Sequence, residues 1–371
     1  MDAIVIGAGI VGAACARELA RAGQRVLVLE ASFAGSGTTA AGMGHLVVMD
    51  DSPGQMALTA LSMELWRELA PALSRWVELD SCGTIWVAED AAQMDVVREK
   101  HRLYGSHGIA STMLDAAALA THEPQLRARL AGGLLVDADA VIYPPAAARW
   151  LLEDAKAHGA TVRESVRVDE ILPRAVRCGD DIFEAEAIIN AAGAEAARLT
   201  SGVPILPRKG HLAITDRAPG FCRHQLVELG YLTSAHTMSS ESVAFNVQPR
   251  ATSQVLIGSS RELVGWDATT NRSLLVRMLE RAVAFMPALA DRTIIRTWTG
   301  FRPATPDKLP LIGAWDPTPG LWLAGGHEGL GITTSLATAR LLADRMLGRT
   351  SAIDPTPYAP SRVATLAPCA Q

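Results

Sequence analysis

Cysteine is scarce in this chain and forms no framework. The five cysteines, Cys15, Cys82, Cys178, Cys222 and Cys369, are scattered, with no CxxC pair and no His/Cys cluster at zinc spacing. That pattern excludes a disulfide-stapled scaffold, a metal site and an iron–sulfur cluster held by this chain alone. An odd count without pairs fits a reducing, cytoplasmic setting. Basic charge is short as well. Lys+Arg number 34 against 39 Asp+Glu, a net charge of -5. No overall basic surface exists to neutralise phosphates, so nucleic acid is not an expected partner. No apolar run is long enough for a membrane span. The apolar start, Ala3 to Gly12, lacks a basic leader and is punctuated by glycines, so it does not read as a signal peptide.

What is present is an ordinary soluble composition, 49% hydrophobic and 20% charged over 371 residues. That length suits two intimately connected domains better than one core.

The first thirty residues are the most informative. Ala3-Ile4-Val5-Ile6 is a β-branched, non-alternating apolar run, the pattern of a buried parallel strand. Gly7-Ala8-Gly9-Ile10-Val11-Gly12 follows at once, then helical periodicity from Ala13 to Ala22, stopped by Gly23. Arg25 to Leu29 reads as a second buried strand, closed by Glu30. This is strand, GxGxxG, helix, strand and acid within one unit. Gly7 permits the tight turn, Gly9 admits a pyrophosphate, and Gly12 lets helix and strand pack closely. The helix N-terminus offers N–H groups and a positive dipole end. Glu30 can bond ribose hydroxyls and would repel a 2′-phosphate, which disfavours NADP.

Later segments favour FAD over NAD. Gly35 to His45 is a loop rich in small and hydroxyl residues, suited to a flat ligand and to phosphate oxygens. Ile188 to Gly193 reads as a strand ending in the small residues Ala192 and Gly193. Leu321 to Thr333 reads as strand and glycine turn, leading into a helix through Leu347. A second helix N-terminus suits negative charge on a reduced flavin.

Five motifs, GAGIVG…LVLE, TTAAGM, NAAG, GFRPATPDKLPLIG and GGHEGLGIT, occur in this order. Together they resemble the D-amino acid oxidase superfamily of flavoproteins. The likeness to bacterial glycine oxidase runs from Ile4 to about Leu347. It implies noncovalent FAD and an α/β (α+β) fold. The Rossmann-type FAD domain would be assembled from discontinuous segments, 1–80, 140–202 and 299–348. A mixed, largely antiparallel substrate domain would take 81–139 and 203–298, and 349–371 would be a tail, disordered by composition. Ser273 to Phe285 reads as an amphipathic helix ended at Pro287.

The resemblance also implies sites. Val11, Glu30, Ala31, Thr38, Thr39, Ala41, Gly42 and Met43 would line FAD. Val166, in an expected strand Ser165–Val168, would meet adenine through its backbone. Gly326, His327, Gly329, Leu330, Gly331, Ile332 and Thr333 would wrap the flavin end. Arg302 falls at the substrate-carboxylate position, and its planar fork suits two parallel bonds. The alternative for Arg302 is a structural ion pair with Asp307. Hydride transfer from the substrate's α-carbon would need orientation more than acid–base chemistry. His45 and His327 are the loop histidines beside the flavin, with His327 the second catalytic candidate and Met43 and His45 substrate-side residues. His211 is a weaker candidate, and Lys209 reads as a solvated lysine. Phe245 or Asn246 would stand where glycine oxidase has a tyrosine.

FNVQPRATSQVLIGSSRE, with GFRPATPDKLPLIG and GGHEGLGIT, looks like the β subunits of bacterial opine oxidases and D-hydroxyproline dehydrogenases. The cyanide-forming glycine dehydrogenase subunit is a near neighbour. That likeness implies oxidation of a small amino acid, imino acid or opine. It also implies partner subunits with an iron–sulfur cluster and further flavin, and association with a membrane through the electron acceptor. A stand-alone glycine- or sarcosine-type oxidase and a non-catalytic FAD-binding scaffold are the other readings.

Overall fold

The computed structural model describes residues 1–230 and 241–365. Two large sheets face each other. The first has six strands in the order Leu311–Ala314, Leu321–Gly325, Ala187–Asn190, Ala3–Ile6, Val26–Leu29 and Thr161–Arg163. All neighbours run parallel except the first pair. The strands Ala3–Ile6, Val26–Leu29 and Ala187–Asn190 are buried along their whole length. Their uniformly apolar character follows, because both faces of the sheet are covered. On one face pack the helices Ile10–Arg21, Pro144–Ala157, Gly331–Met346 and Pro53–Leu69. The last has Pro53 at its start and Ser52 Oγ accepting from the Gln55 N–H at 3.1 Å, a regular N-cap.

The second sheet has eight strands. Their order is Ile294–Ala304, Leu206–Arg217, Gln254–Glu262, Glu241–Pro249, Gln225–Glu228, Thr84–Ala88, Gly132–Val136 and Thr112–Asp115. It is antiparallel except where Gln225–Glu228 runs beside Thr84–Ala88. The helix Arg272–Phe285 covers its outer face. The strand carrying Arg302 therefore belongs to this sheet, bonded from Leu206↔Ala304 onward. The sequence groups residues from 299 with the FAD segments, whereas Thr299 to Ala304 pair with Leu206 to His211 of this sheet.

Alternation along Glu241–Pro249 decides which residues reach the space between the sheets. Phe245 and Val247 point outward into an apolar core with Met278, Ala282 and Phe285. The Phe245 and Phe285 rings stack at 4.3 Å and 3°. Asn246 and Gln248 point inward, where the Gln248 amide donates to the Met43 carbonyl at 2.9 Å. Phe245 is thus a core residue and not a substrate contact, a correction to the sequence reading. Phe245→Ala is expected to cost about 3–5 kcal/mol of stability by cavity formation. Denaturant unfolding of the holoprotein measures it.

Two further expectations change. Val166 is not on a strand: Ser165 has φ 59, and the Val166 N–H donates to the Glu30 carbonyl at 2.8 Å. The segment 349–365 is packed rather than loose. Tyr358 is buried and its hydroxyl donates to the Gly54 carbonyl at 2.6 Å, while Arg362 Nε pairs with Asp307 at 2.7 Å. Asp307 is therefore the partner of Arg362. Residues 366–371, with Cys369, lie outside the described residues.

Candidate active site

A continuous cleft opens where the parallel strands end. Ile6 and Gly7, Leu29 and Glu30, Ala191 and Ala192, and Ala324 and Gly325 all line it, which places it at the carboxyl edge of the first sheet. The opposite wall comes from the second sheet through Gly210, Leu212, Asn246, Ser259 and Gly300 to Pro303. Hydrogen bonds tie the walls together, among them two near the Thr38 loop. Thr38 Oγ1 donates to the Phe301 carbonyl at 2.7 Å, and Trp298 Nε1 donates to the Ala41 carbonyl at 3.4 Å.

At the amino-terminal turn the backbone is as tight as it can be. A Cβ on Gly12 would stand 2.0 Å from the Gly7 carbonyl oxygen. Gly7 itself has φ +100, and a Cβ there would meet the Ala191 carbonyl at 2.8 Å. Gly9 ends the turn as the N-cap and brings no side chain to the helix N-terminus. Thr39 Oγ1 supplies one bond, accepting from the Ile10 N–H at 3.0 Å. Glu30 braces the turn: one carboxylate oxygen accepts from the Ala8 N–H and the other from the Ser32 N–H, each at 2.8 Å. The hydroxyls of Thr38 and Thr39 thus bind protein first, rather than being reserved for phosphate.

Most of the residues picked from sequence meet in this cleft. Gly7, Gly9, Val11, Glu30, Ala31, Thr38, Thr39, Ala41, Gly42, Met43, His45, Val166, Ala192 and Gly193 line it from the first half. Asn246, Arg302, His327, Gly329, Gly331 and Ile332 line it from the second. Gly12, Phe245, Gly326, Leu330 and Thr333 are not on its surface. Gly12 serves the turn, and Thr333 Oγ1 donates to the His45 carbonyl at 2.8 Å, locking the helix Gly331–Met346 to the loop after Met43.

Arg302 reaches the second-sheet end of the cleft. Its Nη1 donates to the Ser260 carbonyl at 3.0 Å. The guanidinium lies flat over Gly210, where a Cβ would stand 2.2 Å from Nη1. Only glycine leaves room for it. Glu328 lines the cleft nearby and pairs with Arg208 at 2.9 Å and Arg261 at 3.5 Å. Burial pushes the Glu328 carboxyl up, but Arg261, Arg208, Arg302 and Lys308 outweigh it and hold it below its ordinary value. Of these four cations Arg302 lines the cleft, while Lys308 also faces Asp51.

The histidines divide. Burial pushes His45 down to about 4; a side-chain hydrogen bond with Gln248 opposes this, and the Arg302 charge adds to it. Its Nε2 is buried without a hydrogen-bond partner. His327 turns its Nε2 to Thr338 Oγ1 at 3.0 Å, and burial pushes it down to about 3. It is a wall residue with its ring nitrogen already engaged, not a poised base. His211 is spent on structure: its Nε2 accepts from the Asn271 N–H at 3.0 Å, and Nδ1 meets Ser260 Oγ at 2.9 Å. Lys209 is fully buried, with Nζ 3.0 Å from Glu262 and donating to the Thr269 carbonyl at 2.9 Å. The solvated lysine expected from sequence is a structural anchor.

A pH effect follows from His327. Its folded value lies below the unfolded one, near 6.5, so the unfolded chain binds more protons below that pH. Its contribution is complete above about 6.5 and is lost as pH falls toward about 3. The limiting slope is about 1.4 kcal/mol per pH unit. Asp139, which burial pushes up to about 7, acts in the opposite sense, so the comparison must be with a variant. His327→Gln is expected to lose less stability than wild type between pH 6.5 and 4.5. Parallel melting curves for the two proteins would contradict this.

A parallel sheet with a glycine turn under a helix N-terminus, facing an antiparallel sheet that presents an arginine, defines a dinucleotide-type oxidoreductase architecture. The family model "DAO: FAD dependent oxidoreductase" matches residues 2–345. The chain belongs to this family of FAD-dependent oxidoreductases, and FAD is its cofactor. The crystal structure of glycine oxidase from Geobacillus kaustophilus superposes with a TM-score of 0.87 at 25% identity, covering 96% of this chain and 97% of that one. That of iminodiacetate oxidase from Chelativorans sp. gives 0.83 at 27% identity, over 96% and 98%. The hydrogen cyanide synthase subunit HcnC of Pseudomonas protegens is 27% identical over 98% of this chain and 96% of its own length. The cleft fits FAD on its own geometry. The turn leaves no room for side chains at Gly7 and Gly12, Gly9 puts no side chain over the helix start, and buried polar atoms await partners beside Arg302. Among the described residues no helix is long and apolar enough to cross a membrane.

Proposed function

We propose that the chain oxidises the carbon–nitrogen bond of a small amino acid, imino acid or opine, as the flavin-bearing β subunit of a multisubunit dehydrogenase. The observation that carries this is the position of Arg302, at the far end of the cleft that begins at the Gly7 turn. When bound, FAD supplies the hydride acceptor. Glu30, Ala31 and Val166 would hold its adenosine end. The Gly9 and Val11 backbone would hold its phosphates. Ala41 to Met43 and His327 to Ile332 would hold its ring end, with the helix start at Gly331 providing a positive dipole.

Arg302 grips the substrate carboxylate and so fixes the direction of the α-carbon. Its orientation is set by Ser260 below and Gly210 beneath its plane. Neutral His45 lies within the field of Arg302 and adds no second positive charge at neutral pH. Glu328, held ionised by Arg208 and Arg261, keeps the surrounding cations apart and limits the net charge.

The likeness to HcnC, named as a subunit, supports a heteromeric assembly. The likeness to iminodiacetate oxidase supports secondary amines bearing carboxylates. Anaerobic mixing with D-proline, hydroxyproline, opines, sarcosine and glycine tests the reading. Bleaching of the flavin by a carboxylate-bearing amine, with slow reoxidation by oxygen and fast reoxidation by an artificial acceptor, is expected. Rapid peroxide formation by the isolated chain would favour a stand-alone glycine- or sarcosine-type oxidase instead.

A further inference from the structure

We infer that Asp139 and the buried polar row Gln248, Gln225 and Thr84, bridged by water, carry the proton released by a substrate amine from the cleft to the protein surface. The inference rests on the function proposed above and adds a proton route to that site.

Oxidation of the carbon–nitrogen bond needs such a route. An amino acid enters as an ammonium at neutral pH. One N–H bond breaks and its proton leaves. The electron pair left on nitrogen becomes the second bond of C=N as the α-hydrogen departs to the flavin with two electrons. FAD takes the hydride, so the proton needs a separate acceptor. The cleft histidines are poor acceptors, because burial holds both far below neutrality.

A row of buried polar side chains begins at His45, which lines the cleft. Its ring hydrogen-bonds the Gln248 side chain, whose amide also donates to the Met43 carbonyl at 2.9 Å. The register Leu226↔Val247, extended by one residue, sets Gln225 opposite Gln248. Gln225 in turn pairs with Thr84 on the parallel strand beside it. Alternation points all three inward, because Val247, Leu226 and Ile85 face the outer core. The Thr84 hydroxyl hydrogen-bonds the Asp139 carboxyl, which also accepts from the Val48 N–H at 3.4 Å. Gln248, Gln225, Thr84 and Asp139 are each no more than 2% exposed. Two further atoms call for water. Gln225 Oε1 and Trp86 Nε1 are buried without a hydrogen-bond partner. Trp86 lies two residues from Thr84 on the same strand and so on the same face. One atom accepts and the other donates, so a water between them would satisfy both and join the Thr84 hydroxyl.

Asp139 can hold a proton near neutrality. Burial pushes its carboxyl up to about 7, against the bonds from Thr84 and Val48 and the charge of Lys100. The other groups facing it are Tyr104 and Cys82, both pushed up by burial. Asp50 and Asp51 lie beyond, around Lys100. Lys100 pairs with Asp50, its Nζ 4.3 Å from the Trp86 ring centre and 4.8 Å from that of Tyr104. The Asp50 side chain is 12% exposed, so the row ends at solvent.

Three variants of the holoprotein test the route. The readout is anaerobic flavin reduction by whichever amine named above bleaches it fastest, across pH and in light against heavy water. In wild type the rate should rise with pH through an inflection near 7, since only ionised Asp139 accepts a proton. Asp139→Asn should lose that inflection and, above it, reduce about tenfold or more slowly. Gln225→Leu and Thr84→Val should slow reduction several-fold and enlarge the solvent isotope effect, at unchanged flavin content. Proton titration gives a readout free of turnover: folded Asp139→Asn should release one proton fewer than wild type through neutral pH. Melting temperature and circular dichroism report folding, and the other two variants carry the test if Asp139→Asn fails to fold. An inflection near 7 that survives in Asp139→Asn, or wild-type rates and isotope effects in both other variants, would overturn the route and leave the proposed function standing. Failure of every amine to bleach the flavin would overturn that function itself.

Discussion

Arg302→Leu is expected to lower kcat/KM by about 10²- to 10⁴-fold. Two parallel charge-assisted bonds to a carboxylate contribute roughly 1.5–3 kcal/mol each. Together that is roughly 3–6 kcal/mol, at about 1.4 kcal/mol per factor of ten. Both KM and kcat should suffer, because the same fork binds the carboxylate and aims the α-carbon. Arg302→Lys keeps the charge but loses the planar fork, so it should fall between the two. Arg302 bonds the Ser260 carbonyl within the second sheet, away from the Gly7 turn, and FAD content should stay close to wild type. Stopped-flow flavin reduction measures all three proteins. Unchanged kinetics in Arg302→Leu would mean that the carboxylate is held elsewhere.

Gly12→Val is expected to remove FAD from the purified protein. The new Cβ would fall 2.0 Å from the Gly7 carbonyl oxygen and 3.1 Å from its carbon. Both are backbone atoms, so the turn itself must move. Overpacking of this kind costs about 1–3 kcal/mol, and against rigid backbone the upper end applies, roughly 100-fold in affinity. Gly105→Ala is the control. It lies in the helix Ala91–Ser106 with nothing within 4 Å of the added Cβ, so it should bind FAD as wild type does. Circular dichroism separates a folded apoprotein from a failed fold. Full FAD occupancy in Gly12→Val would contradict the assignment of the turn.

The amino-terminal unit was legible because its signals are local. Three buried β-branched residues, the glycine spacing and Glu30 lie within thirty positions, and each constrains the same turn. Arg302 was legible through its motif, but its place in the second sheet was not, since strand pairing across nearly a hundred residues leaves no local mark. Phe245 and Asn246 show the limit most clearly. They are adjacent, and a strand sends them to opposite faces; which face is inward depends on where the helix Arg272–Phe285 packs. Ser259 was missed because a serine in a strand carries no signal until its hydroxyl is seen buried without a partner. Lys209 and His327 were read by residue type, and burial gave both a structural role that type alone does not reveal.

The most direct measurement is a crystal structure of the holoprotein with a bound carboxylate inhibitor. The account predicts one FAD stretched from the backbone of Gly7 and Gly9 to the start of the helix at Gly331, with the inhibitor's carboxylate in bidentate contact with Arg302. Density for flavin outside that cleft, or a carboxylate bound away from Arg302, would contradict it.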